Sequence, residues 1–190
     1  AVRVHDHAYE NFLFAGVEAY ASWVLREEDP ALSWGCLKAA REDFAFARAK
    51  FEKTGVEPAH MFEHTYNSGR SQYYAAACFA ASQLYRAGGV AEDAQEARSW
   101  GDKLLACQET GEAGLPFDGF FWRDEQHRTI VHFNHQSREQ QFAQALAALY
   151  ETQPDAPQKQ LWLEAMERYG GYLKAIVSNT APFGMLPAGV

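Results

Sequence analysis

The sequence is short of basic charge, of cysteine and of long apolar runs, and each shortage argues against a class of protein. Lys and Arg total 17 against 25 Asp and Glu, a formal net charge of −8, so no nucleic-acid partner is expected. No run of about 18 apolar residues occurs, so no membrane span is expected. Cys36, Cys78 and Cys107 show neither CxxC spacing nor a histidine at zinc spacing, so neither a disulfide framework nor a zinc site is predicted.

Strand-like alternation is also scarce, whereas apolar residues recur at helical spacing along the whole chain. This periodicity predicts an all-α protein with six helices, at about 7–27, 31–53, 70–87, 91–109, 138–152 and 158–178. Pro30 suits the first turn of the second helix, and Gly88 and Gly89 suit the end of the third. One segment, 129–133, alternates enough to predict a short β-ribbon with 120–122.

Short and long connections alternate between these helices. The connections at 27–31, 87–91 and 152–157 are short, whereas those at 54–69 and 110–136 are long, and a further loop starts at 179. The pattern predicts three consecutive helical hairpins in a single domain over 1–190, with repeats at about 5–54, 66–110 and 135–179. Because the short turns share one end of this array, the long loops share the other end, which we call the rim.

The rim holds most of the side chains that are capable of chemistry, including all seven histidines. Loops on a rigid scaffold are where binding and catalytic residues concentrate. Local hydrogen bonding also favours Asp, Ser and Asn in loops, so Asp6, Ser68 and Ser137 fit a role as helix caps alone. The other candidates at the rim are His5, His7, His60, His64, Tyr66, Asn67, Arg70, Asp118, Trp122, Arg123, Asp124, Glu125, His127, His132, Asn134, His135, Arg138 and Glu139.

Carboxylates in and after the 111–136 loop predict acid–base chemistry. Asp118, Asp124 and Glu139 are candidates for the paired carboxyl groups that cleave a glycosidic bond. Trp122 would offer a stacking face to a sugar. Asp124 fits the solvated tip of a hairpin equally well, and Glu139 fits a favourable partner of a helix dipole.

A second chemistry uses histidine and tyrosine instead. His64 or His135, with Tyr66, would act as the base at a uronic-acid carbon, while Arg70 or Arg138 neutralises the substrate carboxylate. That set would serve a polysaccharide lyase or a sugar epimerase.

Histidines in the 111–136 loop raise the question of a metal ion. His132 and His135, with His127 near, are a weak signal for one, because no carboxylate completes a motif such as HExxH. Neither a metal nor a cofactor is predicted.

With this organisation the sequence resembles the six-hairpin (α/α)6-toroid glycosidases and the lyases and epimerases that share their architecture. The resemblance rests on helical-hairpin phrases such as YYAAACFAASQLYRAGG at 73–89 and on the loop PFGMLPAGV at 182–190. It implies a carbohydrate substrate in the funnel at the rim, with acidic loop residues as acid and base: Asp118 first, then Asp124 and Glu139. No single family follows from it.

A complete toroid has six hairpins, so three hairpins imply a fragment of a larger toroid. The missing half is expected from the same chain or from a second chain, because an open half leaves apolar helix faces uncovered. A different hypothesis is a non-catalytic helical-repeat module that binds a partner protein. It would require exposed aromatics on the helix faces, whereas Phe12, Phe44, Phe79 and Phe142 stand at core spacing. The sugar, the linkage and the cellular compartment are left open.

Overall fold

The computed structural model describes residues 6–57, 69–131 and 139–185. Within these ranges the protein is all-α, with six helices and two isolated β-bridges, as the helical periodicity predicts. The helices are α1 (Ala8–Leu25), α2 (Pro30–Thr54), α3 (Arg70–Gly88), α4 (Ala91–Leu105), α5 (Gln140–Thr152) and α6 (Lys159–Ser178).

The helices form three hairpins arranged in two layers. Each odd-numbered helix packs against the even-numbered helix that follows it, and α3 also packs against both α1 and α5. The odd-numbered helices therefore make an inner row and the even-numbered helices an outer row. This layering is that of a partial (α/α)6 toroid. The predicted domain of 1–190 and its repeat boundaries stay predictions.

Small side chains place α3 at the centre of the inner row. Its run Ala75–Ala76–Ala77–Cys78 is buried, and Ala80 and Ala81 continue the burial one turn later. A helix without a polar face belongs inside a protein, and small residues let its neighbours approach closely. The Ser82 hydroxyl is satisfied within the helix, because it donates to the Cys78 carbonyl at 2.8 Å.

The turns at the end opposite the rim form as the sequence predicts. The Asp29 carboxylate accepts a hydrogen bond from the Leu32 amide at 3.0 Å, directly before Pro30 in the first turn of α2. Gly89 takes the left-handed conformation, with φ 66°, and closes α3. The equivalent positions of the second and third hairpins meet in space, where Arg86 and Glu151 form an ion pair of 2.6 Å.

The outward side of the first hairpin exposes apolar side chains. On α1, Phe14, Val17 and Val24 are each more than half exposed, and Trp34 on α2 is 67% exposed. Further hairpins, or a second chain, are the expected cover for such faces and stay a prediction. None of the helices described by the structure is long and apolar enough to cross a bilayer.

The aromatic residues at predicted core positions are largely buried. Phe12, Phe44 and Phe142 are at most 8% exposed, and Phe79 is partly buried against the core. The core is therefore continuous through the three hairpins, which gives the rim loops a rigid base.

Candidate active site at the rim

The first turns of the three inner helices are joined at the rim. The hydroxyl of Tyr9, on α1, donates to the side-chain oxygen of Gln141, on α5. Between them stands Tyr73 of α3, whose ring centroid is 5.4 Å from that of Tyr9. These contacts tie the helix starts into one surface on which the rim loops rest.

Glu57, after the end of α2, connects the first two hairpins at this surface. Its carboxylate accepts a hydrogen bond from the Ala8 amide at 2.8 Å, which caps the start of α1. Lys50 lies 3.3 Å from the other carboxylate oxygen. The Glu57 amide donates to the Tyr73 hydroxyl at 3.1 Å. Burial raises the pKa of Tyr73 to about 12, so this phenol stays neutral at physiological pH.

The loop between α4 and α5 crosses the starts of α3 and α5. Its Arg123 carbonyl accepts a hydrogen bond from the Ser71 amide at 3.0 Å. The predicted ribbon is present as an antiparallel bridge between Trp122 and Ile130, and a second bridge pairs Gln108 with Phe121. The part of the ribbon beyond 131 lies outside the described residues.

Glu109 organises this loop from within, and the sequence prediction missed it. The fourth helix was predicted to run to 109 but ends at Leu105. Glu109 is only 1% exposed, and its carboxylate accepts hydrogen bonds from the amides of Gly111 and Ala113 at 2.8 and 3.0 Å. The Trp122 indole donates to it at 3.0 Å. Burial opposes ionisation of Glu109, but these donors outweigh burial and lower its pKa.

Asp118 is exposed, on the part of the loop that packs against α6. The next residue, Gly119, has φ 89°, and a Cβ placed there would lie 2.3 Å from the Arg168 carbonyl oxygen. Only glycine fits this approach of two backbones. Gly119 therefore fixes where Asp118 stands relative to α6.

Substituting Gly119 with alanine is expected to destabilise the protein. The alanine would be strained in the left-handed conformation, and its Cβ would be overpacked against a backbone carbonyl. Together these two effects should lower the free energy of unfolding by about 2–5 kcal/mol. The matched control is Gly114→Ala, since Gly114 has φ 64° but nothing within 4 Å of its Cβ position. Urea unfolding of both variants would measure the difference, and equal losses would contradict the packing described for Gly119.

Asp124 and Trp122 have local structural partners. The Asp124 carboxylate accepts a hydrogen bond from the Gln126 amide at 2.9 Å, which closes the hairpin tip. Trp122 is 7% exposed, and its indole stacks on the ring of His127 at 5.4 Å between centroids. The catalytic role of Asp124 and the sugar-stacking role of Trp122 stay predictions. Stacking of a sugar on this face of Trp122 would require His127 to move.

Glu139 directly precedes α5 and is the most perturbed carboxyl group at the rim. It is 3% exposed, and its Oε2 atom is buried with no hydrogen-bond partner among the described residues. Burial raises the pKa of Glu139 to about 8. Burial and the neighbouring Glu139 charge also raise the pKa values of Tyr169 and Tyr172, which face Glu139 from α6. The carboxyl group of Glu139 is therefore largely protonated at neutral pH.

One apolar cavity lies between the loop that follows α4 and the helix α6. Phe117, which precedes Asp118, and Tyr172, which neighbours Glu139, both line it. It encloses about 160 Å³, and its other walls are Leu115, Pro116, Phe120 and Ile130. Asp118 is therefore one residue from one wall of this cavity, and Glu139 neighbours the Tyr172 wall.

Several predicted site residues lie outside the described part of the chain. These are His5, His60, His64, Tyr66, Asn67, Ser68, His132, Asn134, His135, Ser137 and Arg138, and their roles stay predictions. Arg70 is described: it is exposed on the first turn of α3. Among the described side chains, no group of three or more His, Cys, Asp or Glu is arranged to hold a metal ion.

The protein has an inner row of helices backed by an outer row, and loops that bear carboxylates lie over the starts of the inner row. This arrangement places the protein among the (α/α)6-toroid glycosidases. The particular family follows from a comparison with family models. Residues 11–184 match the model of glycosyl hydrolase family 9, and the chain belongs to that family. Searches of curated proteins and of solved structures find no match.

Proposed function

We propose that the protein hydrolyses the glycosidic bonds of an oligosaccharide or polysaccharide at the rim, with Glu139 as general acid and Asp118 as general base. Membership in glycosyl hydrolase family 9 supports the reaction class and a carbohydrate substrate. Hydrolysis of a glycoside needs one carboxyl group that gives a proton to the leaving oxygen and a second that activates water or attacks the sugar. The observation that carries the assignment is the burial of Glu139, which is 3% exposed and whose Oε2 atom has no hydrogen-bond partner among the described residues.

The surroundings of Glu139 suit a proton donor. A carboxyl group that is buried, with one oxygen unpartnered among the described residues, favours its neutral form, because burial removes the solvation that stabilises its charge. An acid whose pKa is near 8 holds its proton at neutral pH and releases it once an alkoxide-like oxygen forms beside it. Tyr169 and Tyr172 exclude water from one side of the group.

The surroundings of Asp118 suit the complementary role. Asp118 is exposed and has no hydrogen-bond or ion-pair partner among the described residues, so water and substrate can both reach its carboxylate. The apolar cavity beside it offers the rings of Phe117 and Tyr172 to the C–H face of a sugar. A sugar seated there would lie beside Phe117, which precedes Asp118, and beside Tyr172, which neighbours Glu139.

Asparagine substitutions at two aspartates test the assignment. We expect Asp118→Asn to lower the release of reducing sugar from a panel of soluble polysaccharides by about 10²-fold or more, the scale of lost acid–base catalysis. Asp155→Asn is the matched control, because Asp155 is exposed in the short connection between α5 and α6, at the end opposite the rim. We expect it to keep most of the activity.

Two outcomes would overturn the proposal. Full activity of Asp118→Asn would remove Asp118 from the reaction. A product that absorbs in the near ultraviolet would show an unsaturated sugar, and therefore a lyase rather than a hydrolase.

A further inference from the structure

A cationic cleft lies between the outer helices α2 and α4, at the start of α3. It encloses about 670 Å³, within the range of about 300–1,000 Å³ typical of ligand sites. Its floor contains the rings of Phe51, Tyr74 and Trp100. The cleft belongs to the first two hairpins, whereas Glu139 lies at the third.

Positive charge gathers in this cleft although the protein carries a net charge of −8. Four basic side chains line it against two acidic ones, Glu52 and Glu96. Of the four, Arg48 is paired with Glu96 at 3.6 Å. The other three, Lys53, Arg70 and Lys103, form no ion pair among the described residues.

Helix stability accounts for two of these three cations but not for the third. Lys53 and Lys103 lie in the last turns of α2 and α4, where positive charge is favoured by the helix dipole. Lys103 also lies over the ring of Trp100, 4.0 Å from its centroid. Arg70 is the first residue of α3, where the dipole disfavours a cation, and it forms no ion pair among the described residues. The Glu125 carboxylate, which accepts a hydrogen bond from Tyr74 one turn further along α3, is the negative charge beside it, so Arg70 keeps its guanidinium available to a ligand.

We propose that this cleft binds an acidic saccharide, a sugar chain that carries carboxylates, through Lys53, Arg70 and Lys103. The arginine fork suits a planar carboxylate, and the two lysines neutralise further charge along the chain. A saccharide fits a protein of this family better than a simple anion does, because the cleft is much larger than one anion. The proposal adds a second saccharide site and does not depend on Glu139 or Asp118.

Isothermal titration of the full chain with trigalacturonate tests this proposal. We expect binding that weakens as salt is raised, and a loss of roughly tenfold or more in affinity for Arg70→Gln and for the double variant Lys53→Gln/Lys103→Gln. The matched control is Lys174→Gln, which removes the same charge from the exposed face of α6. It should bind like the wild type. All four side chains are exposed, so loss of folding is not expected.

Three results would overturn the proposal. Equal binding of a neutral cello-oligosaccharide of the same length would remove the role of charge. Equal binding of inorganic phosphate would reduce the cleft to a simple anion site. Unchanged affinity in the Arg70 and lysine variants would place the ligand elsewhere. Glu139→Gln should bind trigalacturonate normally, so failure of this proposal and failure of the hydrolase assignment are distinguishable.

Discussion

Glu139→Gln should abolish most of the hydrolytic activity while the protein stays folded. The amide has nearly the shape of the protonated acid but cannot give its proton to a leaving group, so we expect a loss of about 10²–10⁴-fold in kcat/KM. The wild-type activity should fall above about pH 8, where the buried carboxyl group ionises. Reducing-sugar release across a pH series checks both expectations.

The same variant has a second, thermodynamic signature with a defined sign. The pKa of Glu139 is raised in the folded protein, so the folded state holds its proton more tightly than the unfolded state does. Between the unfolded pKa of about 4.3 and the folded value, wild-type stability should therefore fall as pH rises, by at most about 1.4 kcal/mol per pH unit. Glu139→Gln should lack this fall. If the free energy of unfolding changes with pH in the same way for wild type and Glu139→Gln, then Glu139 is already ionised in the folded state over this pH range, which would contradict the prediction.

Glu109→Ala should produce a large loss of stability. The substitution leaves the amides of Gly111 and Ala113 and the indole of Trp122 without their acceptor inside the protein. Of these three donors only the Trp122 indole is buried, and a buried donor left unpaired costs about 1–3 kcal/mol, so we expect a loss of at least about that size in urea unfolding. Near-ultraviolet circular dichroism should also change, because Trp122 loses its anchor.

Glu112→Ala is the matched control for Glu109, since Glu112 is exposed three residues further along the same loop. Acidification gives an independent check. The pKa of Glu109 is lowered in the folded protein, so its contribution is present above the unfolded value and is lost as pH falls through the folded value. Wild type and Glu109→Ala should therefore converge in stability at low pH. A constant difference would contradict the role of the ionised carboxylate.

The hairpins were predictable because their signals are local. Helical periodicity, Pro30 in a first helical turn, and Gly89 at a helix end each act within a few residues of the feature that they determine. The alternation of short and long connections then predicted that the long loops share one end of the helix array, the rim. Family membership confirms the class of toroid glycosidases that the helical-hairpin sequence at 73–89 and the loop at 182–190 resemble.

The state of each carboxyl group was not predictable, because it depends on contacts far apart in the sequence. Glu109 fits the end of a helix by periodicity, and only the folded loop aims three donors at it. Glu139 looks like an ordinary first-turn glutamate until Tyr169 and Tyr172, about thirty residues later, bury it. Two glycines near Glu109, at 111 and 114, were the one local hint that the chain leaves the helix there.

The most direct test of the hydrolase assignment compares two substrates with wild type and Glu139→Gln. A natural oligosaccharide needs a proton on its leaving oxygen, whereas a dinitrophenyl glycoside leaves without one. If Glu139 is the general acid, the variant should lose about 10²–10⁴-fold on the oligosaccharide and stay close to wild type on the dinitrophenyl glycoside. Equal losses on the two substrates would contradict the assignment and leave Glu139 with a purely structural role.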